Sequence, residues 1–202
     1  RESDLAEMMN LGGDERIYPA SMTKIMTALL TIENLPDLNE TITVPEDIFE
    51  ELTAQDASVA GFNPYEQPTV RDLLYGVLLP SGADACETLA RAVGGSEEGF
   101  VAMMNQKAEE LGLTNTHFEN CTGLHNDNHY STCRDIAVLM SECLKSDTFR
   151  EIVTREVYTT EATASHPEGI TLYDTMLHRF TSYEMSTTLE NGAVIEGGKT
   201  GF

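Results

Sequence analysis

The stretch Pro19-Ala20-Ser21-Met22-Thr23-Lys24-Ile25-Met26-Thr27-Ala28-Leu29-Leu30 decides how the rest of the chain is read. It is dense in apolar residues with Pro19 ahead of it as punctuation, which predicts a largely buried helix from about Ala20 to Ile32. Ser21 and Lys24 stand three apart at its start, so their side chains project on one face about a turn apart. A serine hydroxyl is a weak nucleophile until a base takes its proton. Lysine serves as that base only where desolvation or a nearby positive charge disfavours its ammonium, and Lys199 is the candidate for that charge. Taken alone, Ser-x-x-Lys occurs by chance in many sequences, with the serine capping and the lysine solvated.

Outward from this helix, residues 34 to 68 carry Pro36, Pro45, Pro64 and Pro68 around short apolar pieces such as Thr41-Ile42-Thr43-Val44. They predict loops and a short strand, an excursion from the core. Val70 to Leu79 and Asp84 to Val93 read as helices, parted by Pro80-Ser81-Gly82, so Ser81 falls on a bend. Ser96 caps a helix in which Phe100, Met103, Met104, Ala108 and Leu111 recur until Gly112 ends it, with the two methionines as core filler. A further amphipathic helix runs from about Thr132 to Leu144, with Ile136, Leu139, Met140 and Cys143 on one face. Glu156 to Thr160 and Ala193 to Gly201 read as strands.

Twelve Lys plus Arg against 34 Asp plus Glu give 202 residues a formal charge of −22. Such a field repels phosphate backbones, so nucleic acid is a poor partner, and no apolar run is long enough to span a membrane. Cys86, Cys121, Cys133 and Cys143 form no Cys-x-x-Cys pair and no zinc-ribbon spacing, which points to free thiols. Cys133 and Cys143 sit roughly 15 Å apart along one helix, too far to bridge each other, while a bridge from either to Cys86 or Cys121 stays open. His125, Asp127 and His129 are a weak metal reading, since a polar run after Gly123 is more often a solvated loop; His117, His166 and His178 are isolated.

Ser21-x-x-Lys24, Ser81 on its turn and Lys199-Thr200-Gly201 occur in an order that resembles the penicillin-recognising serine enzymes. The segments Pro19–Leu30, Thr69–Ala85, Asn115–Leu124 and His129–Asp135 are similar to those of the D-alanyl-D-alanine carboxypeptidases among the low-molecular-mass penicillin-binding proteins. The likeness runs from about Arg16 to Phe202. It implies an α/β (α+β) fold of the serine β-lactamase/transpeptidase type, with a helical lobe packed on an antiparallel sheet. Residues 1–202 would be a single catalytic domain, incomplete at both ends, with later sheet strands absent. Ser21 would be the acylated nucleophile, Lys24 its base and Ser81 a proton relay. Lys199 and Thr200 would hold the substrate carboxylate, Gly201 would permit close approach of backbone, and the N–H groups of Ser21 and Phe202 would form the oxyanion hole. The resemblance implies no cofactor or metal, peptidoglycan stem peptides as substrate, β-lactams as acylating inhibitors, and a place in the bacterial cell envelope.

One departure stands out: the family's second element ends in Asn, and position 83 is Ala. Such a lost polar contact is worth about 1 to 3 kcal/mol, which motivates an alternative reading as a cell-wall-binding homologue without turnover. Efficient β-lactam hydrolysis is disfavoured, because no Glu-x-x-Leu-Asn stretch supplies the deacylating Glu of class A β-lactamases.

Overall fold

The computed structural model describes residues 12–182, 186–188, 192 and 194–201. Strand β1 (Arg16–Ile17) leads into a 3-10 turn, Ala20–Thr23, and then helix α1 (Lys24–Asn34). The predicted helix is therefore present, but its first turn is 3-10 and its end lies two residues later than expected. Every residue of α1 from Lys24 to Thr31 is buried. That explains why its sequence lacks a polar face: the helices Val70–Leu78, Ala83–Gly94, Glu97–Glu110, Cys133–Cys143 and Asp147–Val153 all pack against it.

Helix α2 (Ile48–Ala54) falls inside the segment expected to be an excursion. Val44, Ile48, Leu52, Ala60 and Phe62 are buried in the main core, so that expectation is corrected. The prolines broke the hydrophobic pattern into pieces too short to show a period, although the pieces still face inward. Helices α3 (Val70–Leu78) and α4 (Ala83–Gly94) match the reading, with the Pro80-Ser81-Gly82 bend between them. Thr69 and Asp72 close a capping box at the head of α3, and Gly95 ends α4 in the left-handed region at φ 75°. Ser96, Thr132 and Ser146 cap α5 (Glu97–Glu110), α6 (Cys133–Cys143) and α7 (Asp147–Val153) by accepting backbone N–H bonds. Met104 is fully buried in the core and Met103 packs on it from the surface.

The strands are short. β1 pairs antiparallel with β2 (Ser131–Thr132), Arg16 opposite Thr132, which ties the chain ahead of Ser21 to the start of α6. β3 (Val157–Thr159) and β4 (Thr171–Tyr173) form an antiparallel hairpin with Tyr158 opposite Leu172, followed by α8 (Thr175–Ser182). Tyr158 docks the hairpin on α3: its ring stacks on Tyr75 at 3.6 Å and its hydroxyl donates to Asp72 Oδ1 at 2.9 Å. Helix exceeds strand, as expected of this mixed architecture.

The strand predicted over 193–201 is not formed among the described residues, which include Val194 to Gly201. Val194 makes a single bridge with Thr188, and the Ile195 N–H donates to Thr187 O at 2.8 Å. β-Branched residues favour an extended backbone, but a strand also needs a neighbour that completes its ladder. All four cysteines are free thiols, with Cys133 exposed and Cys86, Cys121 and Cys143 buried. Among the described residues no helix is long and apolar enough to cross a membrane.

Candidate active site

The 3-10 turn sets the first distance in the site. In 3-10 geometry side chains at i and i+3 eclipse, where an α-helix would offset them. Lys24 Nζ accordingly donates to Ser21 Oγ at 3.1 Å and to the Thr122 carbonyl at 2.6 Å. Lys24 is 3% exposed, and these oxygens replace the water its amine loses on burial. Ala20, just ahead of Ser21, holds φ at 47°, a left-handed conformation that an L-residue adopts at a cost of about 1 to 2 kcal/mol.

A loop across residues 117–130 presses on this turn. Thr27 Oγ1 donates to Cys121 O at 2.6 Å, and Thr23 Oγ1 meets His129 Nε2 at 2.7 Å. The Glu119 N–H donates to His129 Nδ1 at 3.2 Å, so Nδ1 accepts and Nε2 carries the proton toward Thr23. Burial pushes His129 down to about 4, against a smaller upward pull from Glu119. Both His129 nitrogens are thus engaged, while His125 pairs with Asp127 at 3.4 Å. Gly123, at φ 86°, brings its backbone so close that a Cβ would lie 1.9 Å from the Ala20 carbonyl oxygen and 3.0 Å from Ser21 N. Only glycine fits there.

Among the described residues, Glu87, Glu97 and Cys121 place three ligand-type atoms within 4.8 Å of one another, away from the histidines singled out in the sequence. They bond among themselves: Cys121 Sγ donates to Glu87 Oε1 at 3.3 Å, and Cys121 N to Glu97 Oε1 at 3.2 Å. Burial, then the Glu97 charge, pushes Glu87 up to about 7.

Ser81 is buried at φ 66°, and its Oγ has no hydrogen-bond partner among the described residues. It bonds to neither Ser21 nor Lys24. Ala83 is 2% exposed and its N–H donates to Ser58 O at 2.7 Å. It shares a cavity of about 160 Å³ with Ser21, Lys24, Ser58, Thr122 and Gly123. Asp84 does not stand in for the missing amide. Its Oδ1 accepts from Ala60 N at 2.7 Å and its Oδ2 from Gly61 N and Phe62 N at 3.0 and 3.1 Å, which folds residues 60–62 back over α4. Burial raises the Asp84 carboxyl in spite of these bonds.

From the other side, Gly201 lies against the 3-10 turn, where a Cβ would come within 2.7 Å of Pro19 O. Thr200 Oγ1 meets Thr175 Oγ1 at 3.2 Å, and Lys199 Nζ donates to Thr200 O at 2.9 Å. Burial pushes Lys199 down to about 8, and repulsion from the Lys24 charge adds to the shift. Phe202 lies outside the described residues. The structure thus gathers Ser21, Lys24, Ala83, Lys199 and Gly201 around one turn, holds Thr200 beside α8 and leaves the Ser81 hydroxyl unpaired. Thr122 and the role of Asp84 were missed in the sequence. Asn120-x-Thr122-Gly123 carries the spacing of an Asx turn, the one signal that could have found the first.

Comparison with known proteins agrees with this arrangement. The D-alanyl-D-alanine carboxypeptidase family profile matches residues 8–202. The chain is 40% identical over 164 residues to the D-alanyl-D-alanine carboxypeptidase DacF of Bacillus subtilis, covering 80% of this chain and 42% of that one. It is 38% identical over 154 residues to the D-alanyl-D-alanine carboxypeptidase of Streptomyces sp. K15, covering 72% of this chain and 53% of that one. The chain therefore spans about half the length of these curated relatives. The crystal structure of the Streptomyces K15 DD-transpeptidase superposes with a TM-score of 0.81 at 32% identity, over 96% of this chain and 74% of that chain. With the Ser21–Lys24 pair, the 3-10 turn and the Lys199-Thr200-Gly201 segment in place, this chain belongs to the D-alanyl-D-alanine carboxypeptidase family.

Proposed function

We propose that the protein is a serine-type D-Ala-D-Ala carboxypeptidase that removes the terminal D-alanine of peptidoglycan stem peptides, and that residues 1–202 belong to its single catalytic domain. One observation carries this reading: Lys24 Nζ sits 3.1 Å from Ser21 Oγ while anchored on a backbone carbonyl, a nucleophile beside an oriented base. Ser21 Oγ attacks the carbonyl carbon of the penultimate D-alanine and its proton passes to Lys24 Nζ. The C–N bond breaks as the leaving D-alanine amine takes a proton relayed by Ser81. Water then hydrolyses the seryl ester, restoring Ser21 and releasing the shortened peptide. Lys199 supplies charge and Thr200 a hydroxyl donor to the substrate's terminal carboxylate, while the backbone N–H groups of Ser21 and Phe202 receive the oxyanion. A β-lactam acylates the same Ser21. The substrate places the enzyme in the bacterial cell envelope.

The test combines labelling by a fluorescent penicillin with release of D-alanine from a D-alanyl-D-alanine peptide, for the native protein and for Ser21→Ala. Labelling and release in the native protein, both lost in the variant and both unaffected by a chelator, are expected. Ala83 is the observation that favours a second reading, a homologue that binds cell wall without turnover, and a native protein that stays dark and releases nothing would select it.

A further inference from the structure

The Thr122 carbonyl holds Lys24 Nζ at 2.6 Å, and the loop geometry shows what holds Thr122. The Asn120 side-chain oxygen accepts from the Thr122 N–H at 3.2 Å, the Thr122 hydroxyl at 3.2 Å and the Gly123 N–H at 2.7 Å. Its amide nitrogen donates to Leu124 O at 2.8 Å. One side chain thus closes a turn over residues 120–124, leaving the Thr122 carbonyl to face α1 and the Gly123 backbone to lie against Ala20.

A neutral amine has two N–H bonds and one lone pair. For Lys24 to take the Ser21 proton, that lone pair must face Ser21 Oγ, and an N–H committed to a fixed carbonyl restricts rotation about the Cε–Nζ bond. We propose that Asn120 is a positioning residue for the Ser21–Lys24 pair, fixing the Thr122 carbonyl that orients the lysine amine. This inference rests on the function proposed above. Asn120 bonds to neither Ser21 nor Lys24 among the described residues, and it acts through the backbone of residues 122–124.

Two variants test it, each measured as the rate of Ser21 acylation by fluorescent penicillin per molecule that finally labels. Counting labelled molecules removes any loss of folded protein from the rate. Asn120→Ala removes all four bonds and is expected to slow acylation by about tenfold to a hundredfold, the scale of a misplaced reacting group. Asn120→Asp keeps an acceptor for the two N–H groups and the Thr122 hydroxyl while losing the donor to Leu124 O. It should retain the acylation rate within a few-fold, the rescue expected of a variant that still closes the turn. A purely structural role would lower the labelled fraction and leave the rate per labelled molecule where it is. If the native protein is not acylated at Ser21, the proposed function fails. If it is, and Asn120→Ala matches it in rate, this inference alone is overturned. Should Asn120→Ala not fold, Asn120→Ser, which keeps a polar side chain without the reach of the amide, decides by the same rate.

Discussion

The two sides of the site are built differently. On the nucleophile side, residues 20–27 and the loop over 117–130 are sewn together by Lys24 to Thr122 O, Thr27 to Cys121 O and Thr23 to His129, with Gly123 backbone against Ala20 backbone. On the clamp side, Lys199 bonds to the carbonyl of its own neighbour and Thr200 to a hydroxyl of α8, while the segment reaches the turn through the bare backbone of Gly201. One side is fixed by hydrogen bonds converging on a buried helix. The other is placed by close approach and charge. Damage to the first should therefore appear in acylation, and damage to the second in substrate affinity.

The largest effect that sharpens this contrast comes from paired glycine substitutions. Gly123→Ala would set a Cβ 1.9 Å from the Ala20 oxygen at a φ of 86°, with backbone on both sides of the clash. It should destabilise the fold by about 3 kcal/mol or more, lowering Tm by several degrees, and slow acylation by about a hundredfold. Gly201→Ala meets Pro19 O at 2.7 Å without a left-handed φ, and should raise KM with a smaller change in Tm. Equal losses of Tm in thermal melts would break the comparison.

Next in size is the charge of Lys199, the proposed carboxylate clamp. Lys199 is pushed down to about 8, so it loses its proton as pH rises through that value, whereas an ordinary lysine stays charged for two units more. With a D-alanyl-D-alanine peptide, KM should climb above pH 8 while kcat holds. Lys199→Met should lower kcat/KM by about tenfold to a hundredfold at pH 7 and remove that limb, as expected for one charge-assisted contact. A climb in KM that survives in Lys199→Met would assign the limb to another group.

The smallest effect is a gain. Ala83 lines the cavity with Ser21 and Lys24, and Asp84 is committed to residues 60–62, so Asp84 does not replace the amide. Ala83→Asn should raise kcat/KM by about tenfold, the scale of one buried hydrogen bond. An unchanged kcat/KM over a good native rate would mean that another group already makes this contact.

The Ser21–Lys24 pairing was legible because an i, i+3 spacing puts both side chains on one face in either helix type. That the turn is 3-10 was not, since Ala-Ser-Met-Thr suits both geometries. Thr122 was hidden for a deeper reason: its contribution is a carbonyl, and residue identity says little about where a carbonyl points until the loop closes around Asn120. Asp84 was visible as a residue but not as a role, because its acceptors serve N–H groups more than twenty positions back, in the segment that the prolines disguised as an excursion. The stretch from Ala193 read as a strand by its β-branched residues, and pairing is a property of a second chain segment that propensity does not report.

The cysteines have a consequence for how opening of the molecule could be timed. Cys133 is exposed, while Cys121 lies beside Thr122 in the loop and Cys143 donates to the Ile25 carbonyl of α1. Burial pushes Cys86 up to about 12 and raises Cys121 and Cys143 as well, so none offers a thiolate while it stays covered. A maleimide added to the folded chain meets Cys133 at once. It reaches Cys121 only as often as the loop lifts off α1, and Cys143 only as often as the interior comes apart. The chain thus carries chemical clocks at separate depths, and the interval between the second and third measures how far the loop opens independently of the core.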